Sequence, residues 1–153
     1  MKRFISIICI AAILFTLASC NKSIAEEGDV TVVVENADGK HEVYMTYLEN
    51  VENKGNGALG VLENLKSREE NPLHLVYQNG AFGAFITEIG SIKQDESSGA
   101  YVMAYTSVET DSYADAPTVK YKEAVLYSSG VGVNTMTVKA GTIILFRLEV
   151  YGG

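Results

Sequence analysis

Residues 79–92 read Asn79-Gly-Ala-Phe-Gly-Ala-Phe-Ile-Thr-Glu-Ile-Gly-Ser-Ile92, so that two phenylalanines lie among three glycines. Glycine allows a backbone to approach another backbone or a ligand closely, and it permits positive φ. Two interpretations follow from this pattern. Either the stretch forms a tight crossing between strands, or Phe82 and Phe85 form an apolar lip that contacts a ligand.

The residues before this stretch carry a helical pattern. Between positions 58 and 70, Ala58, Val61, Leu62 and Leu65 recur at i, i+3, i+4 and i+7, which predicts one apolar stripe. Pro72 ends the pattern. A single helix with one apolar stripe must pack on a sheet.

Alternation of apolar and polar residues predicts the strands of that sheet. The predicted strands are 30–35, 41–48, 73–78, 100–108, 119–127, 135–138 and 142–151. In the fourth of these, Tyr101, Met103 and Tyr105 share one face, which is either core or a recognition surface. The fold class is therefore α+β.

The N-terminus predicts a lipoprotein signal peptide at residues 1–19. A basic start precedes an apolar run at 4–17, which is shorter than the ~20 residues of a membrane span. Leu17-Ala18-Ser19-Cys20 resembles the bacterial lipobox, in which the cysteine is acylated. We expect a tether at 20–28 after lipidated Cys20 and one domain at 29–153, anchored outside the cytoplasm to the bacterial cell membrane. The alternative is an ordinary secretory signal with a chance cysteine.

Composition excludes several function classes. Removal of residues 1–19 leaves ten basic and nineteen acidic side chains, 10 − 19 = −9, which argues against nucleic acid as a partner. The chain has neither a nucleophile elbow nor a phosphate-binding loop, and His41 and His74 lack further ligands at metal spacing. We therefore expect no catalytic residues, no metal site and no enzymatic activity.

Four pieces of sequence, taken in order, resemble the small C-terminal β-domain of transcobalamin and intrinsic factor and its bacterial relatives. They are the opening hairpin, the helix with Leu59, Leu62 and Leu65, the run 83–89, and the closing segments 130–133 and 138–142. The resemblance extends from Val30 to about Tyr151. It implies a β-grasp-like fold, in which an antiparallel or mixed sheet packs on one α-helix.

The resemblance also implies a function. It indicates a non-enzymatic module for a corrinoid (cobalamin-like) ligand, shared with a transporter or surface protein, because the chain has no room for the family's helical domain and has Val102 where the family has tryptophan. The alternative is a protein–protein interaction or structural module at the cell surface without a small ligand. The site residues implied by the glycine-aromatic pattern and the family together are Phe82, Gly83, Phe85, Gly99, Ala100, Tyr101, Met103, Tyr127 and Ser128.

Overall fold

The computed structural model describes residues 26–151. The predicted signal peptide and Cys20 lie outside the described residues. Within residues 26–151, regular structure consists of nine strands, one α-helix and four short 3-10 helices, and no helix there is long and apolar enough to cross a bilayer. The predicted combination of a mixed sheet and one α-helix is confirmed.

The strands form two sheets. Its elements are β1 (Val30–Glu35), β2 (His41–Thr46), α1 (Gly57–Lys66), β3 (Leu75–Gly80), β4 (Gly83–Ile89), β5 (Ile92–Lys93), β6 (Ala100–Thr106), β7 (Thr118–Tyr121), β8 (Ala124–Ser128) and β9 (Ile143–Val150). The large sheet has the order β2-β1-β9-β6-β8-β7, and the small sheet has the order β3-β4-β5. β1 and β9 are parallel, whereas the other paired strands are antiparallel.

The main core lies between one face of the large sheet and a layer made of α1 and the small sheet. The predicted helical stripe faces it, because Ala58, Val61, Leu62 and Leu65 are all fully buried there. The strands contribute alternate residues to the same core, chiefly Val30, Val32, Val34, Ile86, Val102, Ile144 and Phe146. Burial of this kind stabilises a fold by about 25 cal/mol per Å² of apolar surface.

The opposite face of the large sheet is curled around a second, smaller core. Val33, Tyr105, Tyr121, Leu126 and Leu145 form it. The ring of His41 in β2 lies edge-on to the ring of Tyr121 in β7, with 5.2 Å between centroids, although β2 and β7 are the two outer strands of the sheet. The curl therefore brings the edges of the sheet together across this face, which we call the concave face.

Three predicted elements differ from the structure. The helix ends at Lys66 rather than near 70, and the chain beyond it turns back, since Asn71 adopts a positive φ of 48° and the Leu73 N–H donates to the Leu65 carbonyl at 3.1 Å. The strand predicted at 119–127 is a hairpin, since Lys122 adopts a positive φ of 52° between β7 and β8. The strand predicted at 135–138 does not form. Its first residue ends a turn at 133–135, in which the N–H groups of Thr135 and Met136 donate to the Gly132 carbonyl, and 136–138 have no regular structure.

Candidate functional site

The glycine-aromatic stretch forms the tip and one strand of the β3–β4 hairpin. Gly80 and Gly83 pair across the hairpin and leave Ala81 and Phe82 as a two-residue turn. The Phe82 side chain is 100% exposed, and that of Phe85 is 49% exposed. The glycines therefore permit a tight turn, and the two phenylalanines point away from the core. We call this feature the lip, defined as residues 81–85.

The lip stands on a fixed base. The Ala84 N–H donates to Asn134 Oδ1 at 2.5 Å, and Asn134 Nδ2 donates to Asn56 Oδ1 at 2.9 Å. A Cβ atom at Gly83 would lie 2.7 Å from Asn134 Oδ1, and Gly83 has a φ of +102°, so only glycine suits this position. The exposure of Phe82 thus results from an anchored hairpin.

The connection between β8 and β9 lies directly beside the lip. A Cβ atom at Gly132 would lie 3.3 Å from the Phe82 carbonyl oxygen, which places the backbone of that connection against the turn. Its neighbour Val131 is 39% exposed. An exposed apolar residue therefore lies one position away from this backbone contact.

The other predicted site residues do not join the lip. Ala100 begins β6 and Gly99 directly precedes it, and the Tyr151 N–H donates to the Gly99 carbonyl at 2.9 Å. Tyr127 and Ser128 lie at the opposite end of β6, because they pair with Thr106 and Tyr105. The structure separates these two pairs by the length of a seven-residue strand.

Tyr101 and Met103 lie on the concave face. They alternate along β6 with Val102 and Ala104, which contact the main core, so their side chains point to the side opposite α1 and the small sheet. Of the nine predicted binding residues, the structure brings together Phe82, Gly83 and Phe85 and disperses the rest. Tyr105 on the same face is core, at 2% exposure, whereas Tyr101 and Met103 are half-buried.

A polar group that the sequence did not single out lies on the concave face. Strand register aligns His41, Glu35, Arg147 and Met103 in one row across β2, β1, β9 and β6. The next row pairs Glu149 with Tyr101. We call the set Glu35, His41, Tyr101, Arg147, Glu149 and Tyr151 the Arg147 cluster. No local motif marks it, because four strands from both ends of the chain contribute to it.

Arg147 lies between two carboxylates in this cluster. Its Nη1 is 3.3 Å from Glu35 Oε1, and its Nε is 3.8 Å from Glu149 Oε1. His41 Nε2 lies 3.3 Å from the other oxygen of Glu35. The result is a line across the sheet in which the side chains of His41 and Arg147 alternate with the carboxylates of Glu35 and Glu149.

Two tyrosines donate to the same carboxylate. The Tyr105 hydroxyl donates to Glu149 Oε1, and the Tyr151 hydroxyl donates to Glu149 Oε2 at 2.8 Å. Burial, followed by the bond to Glu149, raises the pKa of Tyr105, and the bond to Glu149 raises the pKa of Tyr151. Both phenols therefore remain protonated donors at neutral pH, and Glu149 stays in place.

The described residues offer little for a metal ion. Among residues 26–151, no group of three or more His, Cys, Asp or Glu side chains could hold one.

A cleft of about 370 Å³ beside α1 is lined by Glu52, Asn53, Gly60, Glu63, Asn64 and Ser67. Its central groups already have partners, because Glu63 accepts from Tyr77 at 2.7 Å and Asn64 bonds Thr46 and Asn50.

Comparison with known proteins supports the fold. Neither a family model nor a curated protein sequence matches this chain. Among solved structures, a protein from Ruminococcus gnavus ATCC 29149, described as a candidate metal-binding protein, aligns with a TM-score of 0.55 and 16% identity over 82% of this chain and 100% of its own. Haptocorrin in complex with Cbi aligns with a TM-score of 0.49 and 12% identity over 80% of this chain. The chain spans about a quarter of haptocorrin's length, 25%.

Proposed function

We propose that this chain is an extracytoplasmic, lipid-anchored lipoprotein whose domain, at positions 29–153, binds a small ligand at the lip without catalysing a reaction. The complete exposure of Phe82 carries the proposal. A phenylalanine that contributes nothing to the core, on a turn anchored through Asn134, is available to a ligand or partner. Exposed apolar side chains grouped in this way mark interaction sites.

The proposed ligand class is a corrinoid or a similar flat ring. This part of the proposal rests on the sequence resemblance to the transcobalamin C-terminal domain, which also implies a β-grasp-like fold. Phe82, Phe85 and Val131 supply exposed apolar side chains on and beside the lip. Covering a phenylalanine fully is worth about 1.5–3 kcal/mol, and immobilising the ligand offsets much of that gain. We therefore expect weak binding by the domain alone, strengthened by a transporter or surface protein that closes over the ligand.

A spectroscopic titration tests this proposal. Cobinamide and cobalamin are added separately to the lipidated protein in detergent, and the visible absorbance of the corrinoid is followed. A saturable shift is expected for at least one of them. Phe82→Ala should weaken binding about 10- to 100-fold, because it removes the apolar contact.

The control variant is Val125→Ala, which trims another exposed apolar side chain, 42% exposed, on β8 and away from the lip. It should bind as the wild type does, and all variants should keep the wild-type thermal midpoint. Absence of any corrinoid shift would remove this ligand class. In that case the lip would be assigned to contact with a protein at the cell surface, and capture of a membrane protein that depends on Phe82 would be the expected result.

A further inference from the structure

The Arg147 cluster contains a polar atom that the fold does not explain. Arg147 Nε is buried and has no hydrogen-bond partner among the described residues, and Glu149 Oε1 lies 3.8 Å from it, beyond hydrogen-bond distance. Buried donors in folded proteins are nearly always paired, so an orphan indicates a water, ion or ligand that completes it. The side chain as a whole is 34% exposed and can be reached from solvent.

A cavity adjoins the same arginine. It has a volume of about 180 Å³ and lies between Arg147 and the turn that joins β1 to β2, with Glu35, Asn36, Ala37, Gly39 and Leu148 completing its walls. At roughly 30 Å³ for each water in the liquid, it has room for about six waters, or for part of a small organic ring. Arg147 thus both lines this cavity and carries the unpaired donor.

The pattern of charges selects the ligand chemistry. A carboxylate or phosphate is negatively charged at neutral pH. It would pair with Arg147, but it would be repelled by the carboxylates of Glu35 and Glu149, which lie in the same row and the next. An ammonium group only donates, so it would face Arg147. A hydroxyl group both donates and accepts, and it can therefore pair with a guanidinium and a neighbouring carboxylate at the same time.

Aromatic rings stand beside these polar groups. Tyr101 shares the register position of Glu149 and is half-buried, and Tyr151 is 52% exposed. Because the Tyr151 hydroxyl is bound to Glu149, its ring is held over the concave face. Tyrosine supplies a large and rigid contact surface at low entropic cost, and a flat face of C–H groups can cover such a ring.

We propose that the Arg147 cluster is a binding site for a neutral, hydroxyl-rich ligand of the sugar type. Hydroxyl groups of the ligand accept from Arg147 and donate to the carboxylates of Glu35 and Glu149, while the C–H face of the ring lies against Tyr101 and Tyr151. This site is separate from the lip, because it occupies the opposite face of the large sheet.

Saturation-transfer NMR tests the proposal on the lipidated protein in a detergent that contains no sugar. The probes are the methyl glycosides of glucose, galactose, mannose and N-acetylglucosamine, each at about 10 mM, a concentration suited to millimolar affinity. Acetate, methyl phosphate and methylammonium serve as charged comparators, which carry the groups that the two carboxylates and Arg147 should disfavour. Transfer is expected to at least one glycoside and to none of the charged probes.

Three variants locate the contact. Arg147→Lys keeps the charge but loses the planar fork of donors, and it should weaken glycoside binding about tenfold. Tyr101→Leu removes the aromatic ring and leaves the ion pairs of Arg147 unchanged. It can therefore test the site even if Arg147→Lys lowers the stability of the fold. Phe82→Ala should leave glycoside binding unchanged, which distinguishes this site from the lip.

The proposal is overturned by any of three results. The first is no transfer to any glycoside, and the second is transfer to the charged probes alone. The third is a glycoside signal that survives in folded Tyr101→Leu and Arg147→Lys but is lost in Phe82→Ala.

Discussion

The backbone N–H of Ala84 donates to the side-chain oxygen of Asn134 at 2.5 Å, across 50 residues of sequence. This bond joins the start of β4 to the connection before β9. Asn134 also reaches Asn56, the residue before α1. One amide therefore holds the hairpin, the start of the helix and the connection in a fixed arrangement, and the position of Phe82 depends on it.

Replacement of Asn134 should loosen this arrangement. In Asn134→Ala the Ala84 N–H loses its acceptor, and leaving a part-buried donor unpaired costs about 1–3 kcal/mol. The denaturant midpoint should fall accordingly, and hydrogen exchange of the Ala84 amide should accelerate. Lys139→Ala, which changes an exposed residue of the same connection, should leave both unchanged. Equal protection of Ala84 in the two variants would argue that the bond does not form in solution.

Leu62 should be among the most sensitive positions of the helix. Its side chain is 0% exposed between α1 and the sheet, so Leu62→Ala should cost about 2–5 kcal/mol through lost burial and the remaining cavity. The exposed Glu70 provides the control, and Glu70→Ala should stay within about 0.5 kcal/mol. Urea unfolding of both variants is the measurement. Lys66 is a poorer control, because its Nζ donates to the Leu75 carbonyl at 3.1 Å.

Tyr44 should make stability depend on alkaline pH. Burial is the largest cause that raises the pKa of Tyr44, to about 12, and the carboxylate of Glu42 adds to it. Since the folded pKa exceeds the unfolded value near 10, this contribution is complete below pH 10 and is lost as pH rises toward 12. A difference of two pKa units between the folded and the unfolded state corresponds to at most about 2.7 kcal/mol of stability.

Urea midpoints between pH 9 and 12 check this expectation. Tyr44→Phe should lose less stability over that range than the wild type does. Tyr47→Phe, at a 43% exposed position, should follow the wild type. A wild-type and a Tyr44→Phe profile of the same slope would contradict the assignment.

The membrane anchor remains a prediction from sequence. Expressed in a bacterial host with radiolabelled palmitate, the wild type should incorporate label at Cys20. Cys20→Ala should accumulate as an unlabelled precursor that keeps residues 1–19. Equal labelling of both forms would exclude lipidation at this cysteine.

Local sequence determined the elements that depend on local periodicity. The stripe that ends at Leu65 predicted the position of α1. The strand β1 matches its predicted bounds because Val30, Val32 and Val34 alternate there with Thr31, Val33 and Glu35. The alternation of apolar and polar residues did not predict that 119–127 would divide into two strands. This division depends on Lys122 adopting a left-handed conformation, which is uncommon for a lysine and has no signal in hydrophobicity.

The functional surfaces differ in how far the sequence could reveal them. The lip was recognisable, because glycine and phenylalanine at 80–85 are adjacent in the chain. The Arg147 cluster was not, because its residues come from β1, β2, β6 and β9 and meet only through strand register. Tyr101 illustrates the difference, since the sequence singled it out but could not show that it lies across the sheet from Phe82.

The parallel pair of β1 and β9 has a consequence for the order in which the molecule can form. The first strand of the domain has its central neighbour 112 positions later, at Thr31 opposite Ile143, and contacts of such long range form slowly. Because the chain is synthesised from its N-terminus, β1 has only β2 beside it until β9 has been made. The last strand therefore completes the middle of the sheet, and loss of β9 would separate β1 and β2 from β6, β8 and β7 instead of trimming an edge.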